Sequence, residues 1–120
     1  MQSGFKFSRV CAHLTKLLLL AGVWLASNSM AQAVDVTAAE GLAKKSNCVK
    51  CHSIDKKKDG PPYHETAVKY KGKPEAEAKL YKHITTGPTI KIDGLEEAHQ
   101  IVKSKDEAEI KNLIRYILSR

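Results

Sequence analysis

Beyond residue 33 this 120-residue chain has no methionine, no tryptophan and no phenylalanine. The two methionines are Met1 and Met30, the tryptophan is Trp24 and the phenylalanines are Phe5 and Phe7. Each absence excludes something. Without methionine, the body of the chain offers no thioether to a metal. Without Trp or Phe, a domain of this size has a marginal core, resting on aliphatic residues and four tyrosines. Some other body is expected to supply apolar volume. No apolar run reaches the roughly 20 residues that span a bilayer. There is no second Cys-x-x-C and no His-x-His, so a closed four-ligand zinc site is not on offer. Aromatic residues are not interleaved with the lysines as on a nucleic-acid surface.

What is present begins with an export pattern. Lys6, Arg9 and Lys16 form a positive start with no acidic residue, and Leu17 to Ala26 is an apolar run. Ser27 to Ala33 is polar and closes on Ala31-Gln32-Ala33, a small-x-small cleavage pattern. This order predicts a signal peptide over 1–33, cut after Ala33, and a mature domain over 34–120. Cys11 leaves with the signal. The mature part keeps 17 of the 20 basic residues and all 13 acidic ones, a formal charge of +4. That charge reads either as a solvated lysine-rich face or as a docking patch for acidic proteins.

The mature chain reads as helices joined by loops, an all-α class. Thr37-Ala38-Ala39-Glu40 fits a capping box, and a helix follows to about Lys45 or Asn47. Lys56 to Pro62 is a loop by its charge run, glycine and prolines. Tyr63 to Tyr70 predicts a short helix. Glu75 to Ile84 predicts another, with Ala76, Leu80 and Ile84 on one stripe. Residues 87–103 show no clean period, and Thr89 to Ile92 alternates too briefly for a strand. Ser104-Lys105-Asp106-Glu107 predicts a second capping box. Behind it Ile110, Leu113, Ile114, Ile117 and Leu118 recur at helical spacing.

The chemistry lies in Cys48-Val49-Lys50-Cys51-His52, a C-x-x-C-H haem attachment sequence. On one helical turn, residues three and four apart share a face. Two thiols then reach two vinyl groups on one side of a porphyrin, and the imidazole falls under the iron. The expected cofactor is one covalent haem c, held by Cys48 and Cys51 with His52 as the proximal ligand. A zinc reading fails because adjacent Cys51 and His52 fit one tetrahedron poorly. A thioredoxin-like reading lacks any βαβ pattern.

With its order and spacing, the mature chain resembles the small bacterial class I cytochromes c over essentially its whole length. The resemblance implies the class I cytochrome c fold, about four helices around one haem. Gly41 and Leu42 fall where the family has a small residue at a helix crossing. Gly60-Pro61-Pro62-Tyr63 matches the family's Gly-Pro loop, which implies that the Pro61 carbonyl accepts a hydrogen bond from the proximal imidazole. Tyr116 falls where the family packs an aromatic against the first helix. The family's distal ligand is a methionine before the last helix, and composition excludes that here. His99 lies within about a residue of that position and is the expected distal ligand. A water-filled or vacant site, His83, Lys91, Lys103 and His64 are the other candidates. Glu96 and Glu97 are either acceptors for the second nitrogen of His99 or solvated carboxylates.

The implied function is single-electron transfer between periplasmic redox partners, with no enzymatic reaction, no nucleic acid and no membrane beyond an uncut signal. Lys44, Lys45, Lys50 and Lys56 to Lys58 are placed to steer acidic partners. Two other readings stand beside it. One is a haem-based sensor whose His99 detaches from a loop made mobile by Gly87, Pro88 and Gly94. The other is the haem subunit of a periplasmic oxidoreductase.

Overall fold

The computed structural model describes residues 32–120. Most of the segment read as an export signal, including Cys11, lies outside the described residues. Among the described residues, no helix is long and apolar enough to cross a membrane.

The chain runs α1 (Val36–Lys45), α2 (Cys48–Cys51), α3 (Tyr63–Tyr70), α4 (Ala76–Thr86), β1 (Thr89–Ile92), β2 (Leu95–Ala98) and α5 (Glu107–Leu118). The last helix is the hub, because α1, α3 and α4 all pack against it. Its buried residues, Ile110, Leu113, Ile114, Tyr116 and Ile117, are the stripe expected from the sequence with Tyr116 added, while Leu118 packs at its margin. On α4 the expected Ala76, Leu80 and Ile84 are the buried set.

Both predicted capping boxes are displaced. α1 is capped by Asp35, whose carboxylate accepts from the Ala38 N–H at 2.9 Å. A short carboxylate at this position satisfies an otherwise unpaired helix-start donor. Glu40 therefore does not reach back to Thr37; its carboxylate accepts from the Tyr116 hydroxyl at 3.0 Å. That bond places Tyr116 against α1, as the resemblance implied. α5 is capped by Asp106, which accepts from Ala108 N–H at 2.8 Å and Glu109 N–H at 3.3 Å. Ser104 instead donates to Glu109 Oε2 at 2.7 Å.

The helix-crossing expectation for Gly41 is also corrected. Gly41 is exposed, with nothing within 4 Å of where a Cβ would stand. The small residues in the core are Ala39 and Ala43, 0 % and 2 % exposed. They lie four apart on one face. Between α1 and α2, Ser46 is fully buried and its Oγ accepts from Lys103 N–H at 2.9 Å. This bond ties the end of α1 to the segment ahead of α5.

The largest departure is the β-hairpin over residues 89–98, where no strand was expected. The strands pair antiparallel as Thr89↔Ala98, Ile90↔Glu97, Lys91↔Glu96 and Ile92↔Leu95. The turn is Asp93-Gly94, with φ of 49° and 85°. Positive φ at both central residues matches the right-handed strand twist, and Asp-Gly supplies it at low cost. The local signal was this dipeptide, not the alternation around it.

Candidate haem site

Residues 48–52 form one helical turn closed by His52 N–H on the Cys48 carbonyl at 2.9 Å. Asn47 enters the turn in the left-handed conformation, φ 61°. A short polar residue tolerates that conformation better than most. Cys48 and Cys51 are free and half-buried. Burial pushes the Cys48 thiol above its usual range.

His52 is fixed from two sides. Its Nδ1 lies 2.8 Å from the Pro61 carbonyl oxygen. A carbonyl can only accept, so Nδ1 carries the proton and Nε2 is left with a free lone pair. Gly60 lies against the ring face: a Cβ there would stand 2.8 Å from Nδ1 and 2.9 Å from Nε2. Tyr63 also stacks on the imidazole, with ring centres 5.8 Å apart and planes 21° apart. Tyr63 in turn meets Tyr116 edge to face at 6.2 Å. Gly60→Ala is expected to displace the His52 ring and to cost about 1–3 kcal/mol as a small-to-large change in a filled space. Urea unfolding of the haem-loaded protein, read beside its visible spectrum, measures both effects.

His99 stands opposite. Its ring centre is 6.0 Å from that of His52, with planes 53° apart. An imidazole nitrogen holds a first-row metal at about 2.0–2.1 Å, so two imidazoles on opposite sides of one ion have centres roughly 6 Å apart. At this separation the two rings would hold one metal ion between them. His83 lies beside His99, with ring centres 4.2 Å apart. Burial first, then His83 and His52, lowers the His99 pKa; burial first, then His52 and Lys69, lowers that of His83.

Two buried polar atoms near His52 have no hydrogen-bond partner among the described residues, Tyr63 Oη and His99 Nδ1. Desolvated groups of this kind are costly unless something else bonds them. Burial also drives the Tyr63 phenol far above its ordinary value. Paired thiols on one turn, a fixed imidazole tautomer, an axial-length gap and orphaned polar atoms together fit a haem between His52 and His99.

The remaining candidates fall elsewhere. His64 is exposed on α3 and lines a groove of about 770 Å³ with Tyr70, Lys71 and Arg120, which contains none of Cys48, Cys51, His52 or His99. Lys91 is exposed on β1, 3.9 Å from Glu96. Glu96 and Glu97 are exposed on the hairpin, and neither bonds His99. Gly60 and Tyr63 were read from the sequence only as members of the Gly-Pro loop, not as contacts of the His52 ring, and His83 only as an alternative distal ligand, not as a neighbour of His99. Only the position of Gly60 before Pro61 hinted at its role.

A helical domain that pairs a C-x-x-C-H turn with an imidazole gap of this length is a c-type haem protein. The family description for cytochrome c matches residues 36–120, and the chain belongs to that family. It holds one covalent haem c, with which the Cys48–Cys51 spacing is consistent.

Among relatives, cytochrome c-552 of Hydrogenobacter thermophilus is 36% identical over 104 residues, covering 87% of this chain and 96% of that one. Cytochrome c-551 of Pseudomonas aeruginosa is 40% identical over 70 residues, 58% of this chain and 62% of the relative's length. Among solved structures, the class 1 cytochrome MtoD of Sideroxydans lithotrophicus ES-1 is 53% identical with a TM-score of 0.70, covering 72% of this chain and 97% of that one. Cytochrome c552 of Nitrosomonas europaea is 29% identical with a TM-score of 0.53, covering 67% and 96%.

Proposed function

We propose that this chain is an exported, periplasmic single-electron carrier with bis-histidine iron ligation and no enzymatic reaction of its own. Cys48 and Cys51 hold the haem by thioethers, His52 is the proximal ligand and His99 the distal one. The observation that carries this reading is the 6.0 Å between the His52 and His99 ring centres. The haem supplies a one-electron couple. The chain's part is to keep both imidazoles in place so that little rearranges when charge changes.

Pro61 does this for His52, since its carbonyl holds the Nδ1 proton and aims Nε2; such outer bonds orient a ligand and raise its basicity. Imidazole in place of thioether lowers the reduction potential relative to Met-ligated relatives. Around the attachment turn, Val49 and Ile54 are exposed at 41 % and 40 %. Lys44, Lys45, Lys50 and Lys56 to Lys58 flank them in sequence, and Lys58 Nζ donates to the Val49 carbonyl at 2.6 Å. Exposed apolar residues with lysines near them in the chain suit brief docking of acidic redox partners, steered by ionic strength.

Carbon monoxide added to the reduced protein is expected to leave the Soret band of the six-coordinate haem unchanged over minutes. Prompt conversion to a carbonyl spectrum would favour the gas-sensing reading and overturn the carrier.

Acid should open the distal side first. Protons compete for ligand nitrogens, and His99 lacks a bond like that of His52 to Pro61. A pH titration of the ferric protein should show low-spin to high-spin conversion before unfolding. A spectrum unchanged down to unfolding would count against His99.

A further inference from the structure

We propose that the C-terminal turn of α4 is a built seat for His99, with Gly87 and His83 as positioning residues that keep its imidazole on the iron. The inference rests on the ligation proposed above and deepens it.

The segment carrying His99 is fastened at two points, one just beyond the end of α4 and one in its last turn. His99 N–H donates to the Pro88 carbonyl at 2.9 Å, and Val102 N–H donates to the Ile84 carbonyl at 2.8 Å. Ile84 lies in the last turn of α4, where carbonyls have no partner within the helix. The approach is close because Gly87 has no side chain. Gly87 caps α4 at φ 60°, and a Cβ there would stand 2.8 Å from the His99 carbonyl oxygen and 2.9 Å from Ile101 Cγ2. One turn earlier, His83 sets its ring 4.2 Å from that of His99. The peptide is thus held at Gly87 and the imidazole at His83.

The intervening residues do not form a slack loop. The hairpin begins at Thr89 and ends at Ala98, and these two are paired. Its register returns residue 99 to Pro88 with no free chain between. Gly87 and Gly94 therefore serve a close approach and a tight turn, not mobility. A ligand ordered before it binds loses less freedom on binding. The fraction of molecules with an open sixth position is correspondingly small.

The test uses the haem-loaded protein with three substitutions. Gly87→Ala introduces both left-handed strain and the clash. Gly72→Ala is its control: Gly72 has φ 71° and nothing within 4 Å of a Cβ. His83→Ala removes the ring contact and leaves the backbone alone. CO uptake by the reduced protein is expected to be at least about tenfold faster in Gly87→Ala than in Gly72→Ala, as follows if the open fraction rises tenfold. His83→Ala should show a rise of about threefold with its ferric spectrum still low-spin.

Equal uptake in Gly87→Ala, Gly72→Ala and wild type overturns the seat while leaving the ligand reading intact. A high-spin ferric spectrum in His83→Ala makes His83 the ligand and overturns both. A high-spin wild type fails the ligand reading itself. If Gly87→Ala does not fold, His83→Ala decides alone, and wild-type uptake in that variant overturns the seat.

Discussion

In the His99→Ala protein the ferric spectrum changes from low-spin to high-spin, and the reduced protein takes up carbon monoxide at once. This is the largest spectroscopic effect expected of any single substitution here. His99 is the only described imidazole at axial distance from His52, with ring centres 6.0 Å apart. Its removal leaves one axial nitrogen, because the adjacent Gln100 and Ala98 offer no strong donor. His83 is the one imidazole near enough to compete, 4.2 Å from His99. A His99→Ala protein that stays low-spin would therefore mean His83 had taken the position, or held it from the start. The companion His99→Met should stay six-coordinate and shift the reduction potential upward by on the order of 0.1 V. That is a fraction of the roughly 0.8 V that axial ligands span. Potentiometry of the two proteins side by side measures it; a downward shift would contradict the assignment.

Removing both thiols, by Cys48→Ser with Cys51→Ser, has the largest effect on the molecule as a whole. Mass spectrometry of the wild-type protein under denaturing conditions should show the chain plus one porphyrin, and the double variant the chain alone. Single variants should keep the haem through one link. The loss reaches beyond the cofactor. The described core has no Trp and no Phe; it is built from Ala39, Leu42, Ala43, Tyr63, Leu80, Ile84, Val102 and the inner face of α5. A core this thin in so small a domain is marginal, and a bound group that prefers the folded state stabilises it by mass action. Circular dichroism of the double variant should show a clear loss of helix at 25 °C. A wild-type mass equal to the bare polypeptide would end the haem assignment altogether.

The parts legible from sequence are those set by short-range spacing. Cys48, Cys51 and His52 share a face because residues three and four apart always do on a helical turn. α5 was legible because five aliphatic residues recur at helical period, and α3 because it falls between the Lys56 to Pro62 loop and the breakers Gly72 and Pro74. The lack of methionine after residue 30 excluded a thioether ligand with no structure needed. Pro61 came from resemblance, and the 2.8 Å contact with His52 Nδ1 agrees with it.

What needed the tertiary structure is everything that joins distant segments. The helix caps went to Asp35 and Asp106 because an aspartate beside each predicted box reaches the first-turn amides. Glu40 is then drawn to Tyr116, 76 residues away in sequence. Ala39 and Ala43, not Gly41, meet the core because the rotation of α1 is fixed by its partner α5. The stretch over 89–98 reads as a loop in isolation, since each strand has four residues and neither has a buried face. It becomes a hairpin through pairing, and the pairing brings His99 back to the end of α4. Sequence thus determined the C-x-x-C-H turn on which the haem assignment rests. The packing of α4, the hairpin and the Gly60 loop decided which imidazoles stand 6.0 Å apart, the distance on which the proposed ligand pair rests, because distances between remote residues belong to the fold.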